Sequence, residues 1–204
     1  MSLTNIAQLL KLQNGRQHLP HLIYLTDESH LIDPTAFISQ LPRKAGIIFR
    51  HYKLQNRLHL AQKIKQICKD RDLTFIVSRD VKLASVLNAD GLHLPEYLAV
   101  TPNFRFRAWK NKPNKILTAA AHSRHTIMRI KNLGFDASLV SPVFETKSHQ
   151  NARYLGAVGF QTMISSSSTP AFALGGLNNK TARLLRNTNA VGIAGIRGIV
   201  DQSL

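Results

Sequence analysis

The residue best suited by type and position to move a proton is His122. It follows the small, apolar run Ile116-Leu117-Thr118-Ala119-Ala120-Ala121, so little bulk surrounds the approach to its ring. Imidazole titrates near neutrality, so it can accept a proton in one step and return it in the next. No carboxylate stands beside it in the sequence. A core histidine bonded to a backbone carbonyl fits the same position equally well. His93, inside Leu92-His93-Leu94, reads as structural, and the remaining histidines show no metal-ligand spacing. Other polar residues close apolar runs: Thr26, Asp27, Arg50, Arg79, Ser123, and the loop from Ser141 through Thr146 to His149. A guanidinium such as that of Arg50 or Arg79 pairs with a carboxylate in a fork. The sequence has no G-x-S-x-G elbow, Walker loop or dinucleotide fingerprint.

Two glycine turns offer a second chemistry. The run beginning at Ala171 ends in Gly175-Gly176, and Asn178-Asn179 opens a helical pattern over 180–186. The next apolar run, 190–193, is followed by Ala194-Gly195. Glycine lets the backbone approach an oxyanion closely, and a helix start offers unpaired N–H groups. Either turn alone reads as a tight turn. The pair in succession points to a phosphate held by Gly175, Gly176, Ala194 and Gly195, the place a phosphate-binding (β/α)8 barrel provides after its seventh and eighth strands.

The elements that must position these residues alternate. Short strand patterns at 22–25, 46–49, 74–77, 92–94, 116–120, 137–140, 171–174 and 190–193 are separated by helical periodicity, clearest from Leu54 through Leu58, Ala61 and Ile64 to Cys68. About eight such units predict a parallel sheet closed into a single (β/α)8 barrel spanning 1–204, with a short amphipathic N-terminal helix. In such a barrel the strand C-termini carry the site.

Composition narrows the function classes. The chain is 44% hydrophobic and no apolar run reaches a membrane span of roughly 20 residues. The first residues lack signal-peptide character, and the single cysteine, Cys68, excludes an internal disulfide. A cytoplasmic protein with no membrane partner is the expectation, and a homodimer is left open. The net charge of +16 comes from 27 Lys+Arg against 11 Asp+Glu. Its densest group, 104–115, interleaves Arg105, Arg107, Lys110, Lys112 and Lys115 with Phe106 and Trp109. Such a pattern can hold a single strand of nucleic acid, but a solvated basic helix with its aromatics turned inward is the stronger reading.

Six segments then carry a resemblance: LIYLTD, LASVLNADGLHL, AAAHS, SPVFETK, ALGGLN and VGIAGI, in this order between Leu22 and Ile199. Together they resemble the thiamine-phosphate synthase and TenI-like family, whose fold is a (β/α)8 barrel. The synthase branch joins an aminopyrimidine diphosphate to a thiazole phosphate with Mg2+ held by two aspartates. Arg79 and Leu98 fall at those two positions, and neither can bind Mg2+. Asp80 could serve only if the local alignment slips by one residue. The family glutamine and lysine flanking Arg50 fall on Ile48 and Tyr52, and its diphosphate-contacting lysine on His149. The resemblance therefore implies that the diphosphate and metal half is lost, with no cofactor, while the thiazole-phosphate half is kept. It implies a TenI-like tautomerase: His122 transfers a proton on a carboxylated thiazole phosphate. Arg50, Arg79, Thr146, Gly175, Gly176, Ala194 and Gly195 would bind substrate, and the ligand would be a phosphorylated thiazole or thiamine-related molecule. A divergent synthase and a non-catalytic phosphate-ligand binder are the alternatives.

Overall fold

Eight short apolar runs pair in chain order as a closed parallel barrel. The computed structural model describes residues 2–101, 106, 109, 112–146 and 153–200. The strands are β1 (Leu22–Leu25), β2 (Gly46–Phe49), β3 (Thr74–Ser78), β4 (Gly91–Leu94), β5 (Ile116–Ala121), β6 (Ala137–Val140), β7 (Ala171–Leu174) and β8 (Gly192–Gly195). The helices are α1 (Leu3–Asn14), α2 (Thr35–Ile38), α3 (Arg57–Arg71), α4 (Val81–Val86), α5 (Glu96–Ala99), α6 (Arg124–Asn132), α7 (Gly156–Ile164) and α8 (Arg197–Val200), with a 3-10 helix at Thr181–Leu185. Closure comes from β1, where Ile23 lies opposite Gly46 on one side and Ala194 on the other.

Strand alternation divides the apolar residues into two cores. Ile23, Leu25, Ile48, Ile76, Leu139 and Phe172 fill the barrel. Tyr24, Phe49, Phe75 and Leu92 face outward and pack with helical residues such as Ile64, Ile127 and Phe160. The same alternation decides what reaches the mouth. Continuing the inward series past the strand ends selects Asp27, Arg50, His122, Ser141 and Gly176.

The leading helix is the predicted amphipathic one. The Ser2 hydroxyl accepts the Asn5 N–H at 3.2 Å, a helix cap, and Leu3, Ile6, Ala7 and Leu10 form the buried face. No helix among the described residues is long and apolar enough to cross a membrane. Phe106 and Trp109 are buried, and the Trp109 indole N–H donates to the Ile116 carbonyl at 3.3 Å. These rings are therefore core and not a stacking surface. Arg105, Arg107 and Lys110 lie outside the described residues, as does His149.

Two elements differ from expectation. The last strand runs over Gly192–Gly195, not 190–193, because Ala194 is paired on both sides, with Ile23 and Leu174. Ala194 and Gly195 are thus strand residues, and the turn begins at Ile196. The segment after β7 is a five-residue 3-10 helix rather than a full helix over 180–186. Asn178 Oδ1 accepts the N–H groups of Lys180 and Thr181 at 2.8 and 3.0 Å, and the Thr181 hydroxyl donates to the Gly176 carbonyl at 2.9 Å. These side chains satisfy the turn locally and tighten it.

Candidate active site at the barrel mouth

His122 is the first residue beyond β5, and its side chain is 54% exposed. Its Nδ1 lies 2.8 Å from the Ser141 carbonyl. A carbonyl only accepts, so Nδ1 carries the proton and, in the neutral ring, Nε2 holds the free lone pair. The backbone-bonded histidine weighed from the sequence is present in its hydrogen bond but not in its burial. A carboxylate does stand beside it, contrary to expectation: Glu96 Oε2 is 3.7 Å from Nε2 and accepts the His122 N–H at 2.9 Å. The other Glu96 oxygen accepts the Thr126 hydroxyl. Glu96 opens α5 directly after Pro95, and Ser123 caps α6 by accepting the Thr126 N–H at 3.1 Å. One carboxylate therefore ties the loops after β4 and β5 together around the histidine.

Arg50 is fixed from its backbone. Its N–H donates to the Thr26 hydroxyl at 2.9 Å, and Thr26 Oγ1 lies 2.9 Å from His51 Nδ1. His51 Nε2 reaches the carbonyls of Leu31 and Ile32 at 3.0 and 3.1 Å. These acceptors place the ring proton on Nε2, so Thr26 donates to Nδ1 and accepts from Arg50. The Arg50 guanidinium stands 3.8 Å from the Asp27 carboxylate. Burial alone would raise the Asp27 carboxyl, but Ser29 hydrogen bonds and the charges of Arg50 and Arg197 carry it below its ordinary value. The Arg50 guanidinium pairs with this carboxylate, and the charge of Arg197 acts on it as well. The Nε atoms of both arginines are buried without a hydrogen-bond partner among the described residues. An anion bound there would relieve that cost.

Arg79 turns elsewhere. It is exposed, adopts φ +69°, and lays its guanidinium 5.1 Å from the centre of the Tyr52 ring. The Tyr52 hydroxyl bonds Ser78 at 2.8 Å, and the Arg57 guanidinium lies 5.8 Å from the same ring. Arg57 also pairs with Asp80 at 2.6 Å, while the second Asp80 oxygen accepts the Leu83 N–H at 2.9 Å to cap α4.

The glycine turns lie together at the carboxyl end of the barrel, since Leu174 is paired with Ala194. The loop after β6 folds over them: the Val143 and Phe144 N–H groups donate to the carbonyls of Leu174 and Gly175 at 2.9 and 3.1 Å. Thr146 follows in that loop, half-buried. Gly176 has φ +66°, and a Cβ there would lie 2.2 Å from the Glu145 carbonyl oxygen. Its glycine is required by the fold itself, so a valine at this position would disturb the loop before it tested any ligand.

His93 is structural, as its apolar setting predicts. It is buried, with Nδ1 2.9 Å from the Thr118 hydroxyl. Burial, helped by the Arg50 charge, lowers its pKa to about 3. The unfolded chain therefore binds this proton first. The stability due to neutral His93 is complete above pH ~6.5 and is lost as pH falls toward about 3. Denaturant titrations at stepped pH should show a loss of up to about 1.4 kcal/mol per pH unit across that window from this group. His93→Gln should flatten that slope; an unchanged slope would place the proton uptake elsewhere.

Comparison with known proteins places the fold in a family. The model described as thiamine monophosphate synthase matches residues 30–199. The chain belongs to the thiamine monophosphate synthase family. A putative thiamine-phosphate synthase 2 of Aquifex aeolicus is 27% identical over 183 residues, covering 87% of this chain and 96% of that protein. The thiamine-phosphate synthase 1 of Streptococcus pneumoniae is 30% identical over 147 residues, 70% of this chain and 68% of that protein. Among solved structures, the thiamine phosphate pyrophosphorylase of Pyrococcus furiosus superposes with a TM-score of 0.70 at 24% identity, covering 94% of this chain and 100% of that one. FabK of Thermotoga maritima gives 0.64 at 14% identity, covering 96% of this chain and 62% of that one, a likeness of fold alone.

Within this family fold, the structure groups Arg50 with Asp27, on which the Arg197 charge also acts, and His122 with Glu96 and Ser141, while Arg79 joins Tyr52 and Arg57. Glu96 and Arg197 were not singled out from the sequence. The signal for Glu96 was its place two residues past a strand end, at a helix start, although its partner lies 26 residues away. Arg197 had a similar cue, two residues past the last glycine of β8, at the start of α8.

Proposed function

We propose that the barrel mouth binds a phosphorylated thiazole and that His122 transfers a proton on it, an isomerisation of the tautomerase type. The observation that carries this reading is the Nδ1 bond to the Ser141 carbonyl, which leaves Nε2 as an oriented base at a strand end. Nε2 takes a proton from one carbon of the thiazole system. The resulting cation lies beside Glu96, and the proton returns to a second carbon, so no atom is gained or lost. Arg50 faces the substrate carboxylate, and the turns after β7 and β8 hold the phosphate, with Arg197 adding charge.

The residues at the metal positions implied by the resemblance do not fit Mg2+. Arg79 is a cation stacked on Tyr52, and Leu98 offers no oxygen. Asp80, next to Arg79, is held by Arg57 and the α4 cap, and Glu96, two residues before Leu98, is held by His122 and Thr126. Among the described residues no three His, Cys, Asp or Glu side chains group as ligands.

A second reading, condensation of an aminopyrimidine diphosphate with the thiazole phosphate, is favoured by the relatives, which are named thiamine-phosphate synthases. One experiment separates the two. Purified protein is given the carboxylated thiazole phosphate in deuterated water, with and without chelator, and isomerisation is followed by NMR. A parallel sample receives the pyrimidine diphosphate, thiazole phosphate and Mg2+. Isomerisation with solvent exchange that chelator leaves unchanged is expected, with no thiamine phosphate formed. Mg2+-dependent thiamine phosphate formation without isomerisation would replace the first reading with the second.

A further inference from the structure

At the opposite end of the barrel from the mouth, where strands begin, lies a cavity of about 760 Å3. That size is within the usual range for small-molecule sites. It is bounded by the segments that precede β1, β2 and β4, by α1 and by the end of α3. Its walls include Lys11, Lys44, Lys65 and Lys69 beside the apolar Leu19 and Leu73. This face of a barrel ordinarily serves stability, and a closely set group of cations is not what stability calls for.

The carboxylates in the wall do not neutralise the lysines. Asp90 is taken by the Lys65 ammonium at 2.8 Å and by the Phe75 N–H at 2.8 Å. Asp72 lies 3.7 Å from Arg43. Lys11, Lys44 and Lys69 have no carboxylate partner among the described residues. Among the described residues the Lys11 ammonium donates to the Leu19 carbonyl alone, at 2.8 Å. Burial and the neighbouring Lys44 charge lower its pKa. Lys44 and Lys69 have no side-chain partner among the described residues. The Lys44 backbone is nevertheless pinned: its N–H donates to the Asp72 carbonyl at 2.7 Å, at φ +63°. Lys65 and Lys69 are one helical turn apart on α3 and so share a face. His21, buried nearby, has its Nε2 without a hydrogen-bond partner among the described residues. Its imidazole lies below the ordinary histidine value through burial and the Lys11 charge.

We infer that this cavity is a second anion site, separate from the mouth, that takes a small ligand carrying two or more phosphate groups. Three uncompensated ammonium groups around one cavity match a compact polyanion, and the apolar wall leaves room for a non-polar portion. The backbone that carries Lys44 is held in place before any ligand arrives, which limits the ordering cost of binding.

The test uses inorganic tripolyphosphate as probe, read by amide NMR shifts in the full chain at about 0.15 M salt, where nonspecific surface attraction is screened. In wild type the amides of Lys44, Lys69 and Leu73 should shift and saturate. In the Lys44→Asn/Lys69→Gln double variant the same shifts should need about tenfold more probe. Asparagine is chosen at position 44 because it tolerates the left-handed backbone there. Arg50→Ala, at the mouth, should leave these shifts within about twofold. Matching thermal unfolding of wild type and the double variant shows that any loss is not misfolding. Absence of saturating shifts in wild type, or an unchanged titration in the double variant, overturns the inference. So does a single-stranded oligonucleotide that moves these amides where tripolyphosphate does not, since the surface would then be one for nucleic acid.

Discussion

Replacing His122 with asparagine or alanine should slow isomerisation of the thiazole phosphate by about 10²–10⁴-fold, the usual share of a general acid/base. The large effect follows from the geometry. Only Nε2 is free, because the Ser141 carbonyl holds Nδ1. Asparagine can reproduce the bond to Ser141 but cannot carry a proton between two carbons. Phosphate affinity should stay within a few fold, because in the proposed site the turns after β7 and β8, and not His122, would hold that group. The measurement is the isomerisation rate by NMR with exchange of the migrating proton for deuterium, together with thiazole phosphate affinity by calorimetry. Glu96→Gln keeps one acceptor oxygen for the loop and removes the charge, so its loss should be smaller. Variants of His122 as fast as wild type would move the base to Glu96 or to Glu145 in the loop after β6. A wild type with no turnover would leave a ligand binder.

Phe172→Ala should lower folding stability by about 3–5 kcal/mol. Phe172 is fully buried in the barrel interior. Its ring lies over Gly192: a Cβ built there would sit 2.7 Å from Phe172 Cε1 and 2.4 Å from the His21 carbonyl oxygen. The ring fills the volume that this glycine leaves open. Removing it creates a void lined by strands that are hydrogen-bonded on both sides and cannot collapse into it. The reverse repair is closed as well, because Gly192→Ala strikes the backbone of His21. Denaturant melts should show a lower midpoint with an unchanged slope. A loss below about 1 kcal/mol would mean that the interior relaxes around the gap.

The barrel was legible because its signals are local. Short, mainly apolar runs closed at their carboxyl ends by polar residues mark β1, β2 and β6 to the residue: Thr26, Arg50 and Ser141 follow them. Helix starts were less legible: α3 begins at Arg57, not Leu54, and the periodic apolar residues do not mark that cap. At β8 the pattern misplaced the strand by two residues, because small residues in 190–195 give no contrast and only pairing with β1 and β7 sets the limits. The site divides along the same line. His122 and Arg50 end strands and could be found by position. Glu96 beside His122 is set by contacts between different βα loops, and the Arg197 charge reaches Asp27 from another loop, for which the sequence carries no period. Arg79 ended a strand too, but its left-handed backbone and the Tyr52 ring direct it away from Arg50, and neither can be counted along the chain.

In the proposed isomerisation, the carbonyl that holds one nitrogen of His122 would also limit stereochemistry. A base with a single accessible nitrogen and a ring it cannot turn over addresses only one side of a flat heterocycle. The hydrogen that leaves must then come back on the side from which it left. For a substrate labelled in a defined configuration, the migration would be suprafacial, and the label would partition between return to product and loss to solvent according to how long the imidazolium survives.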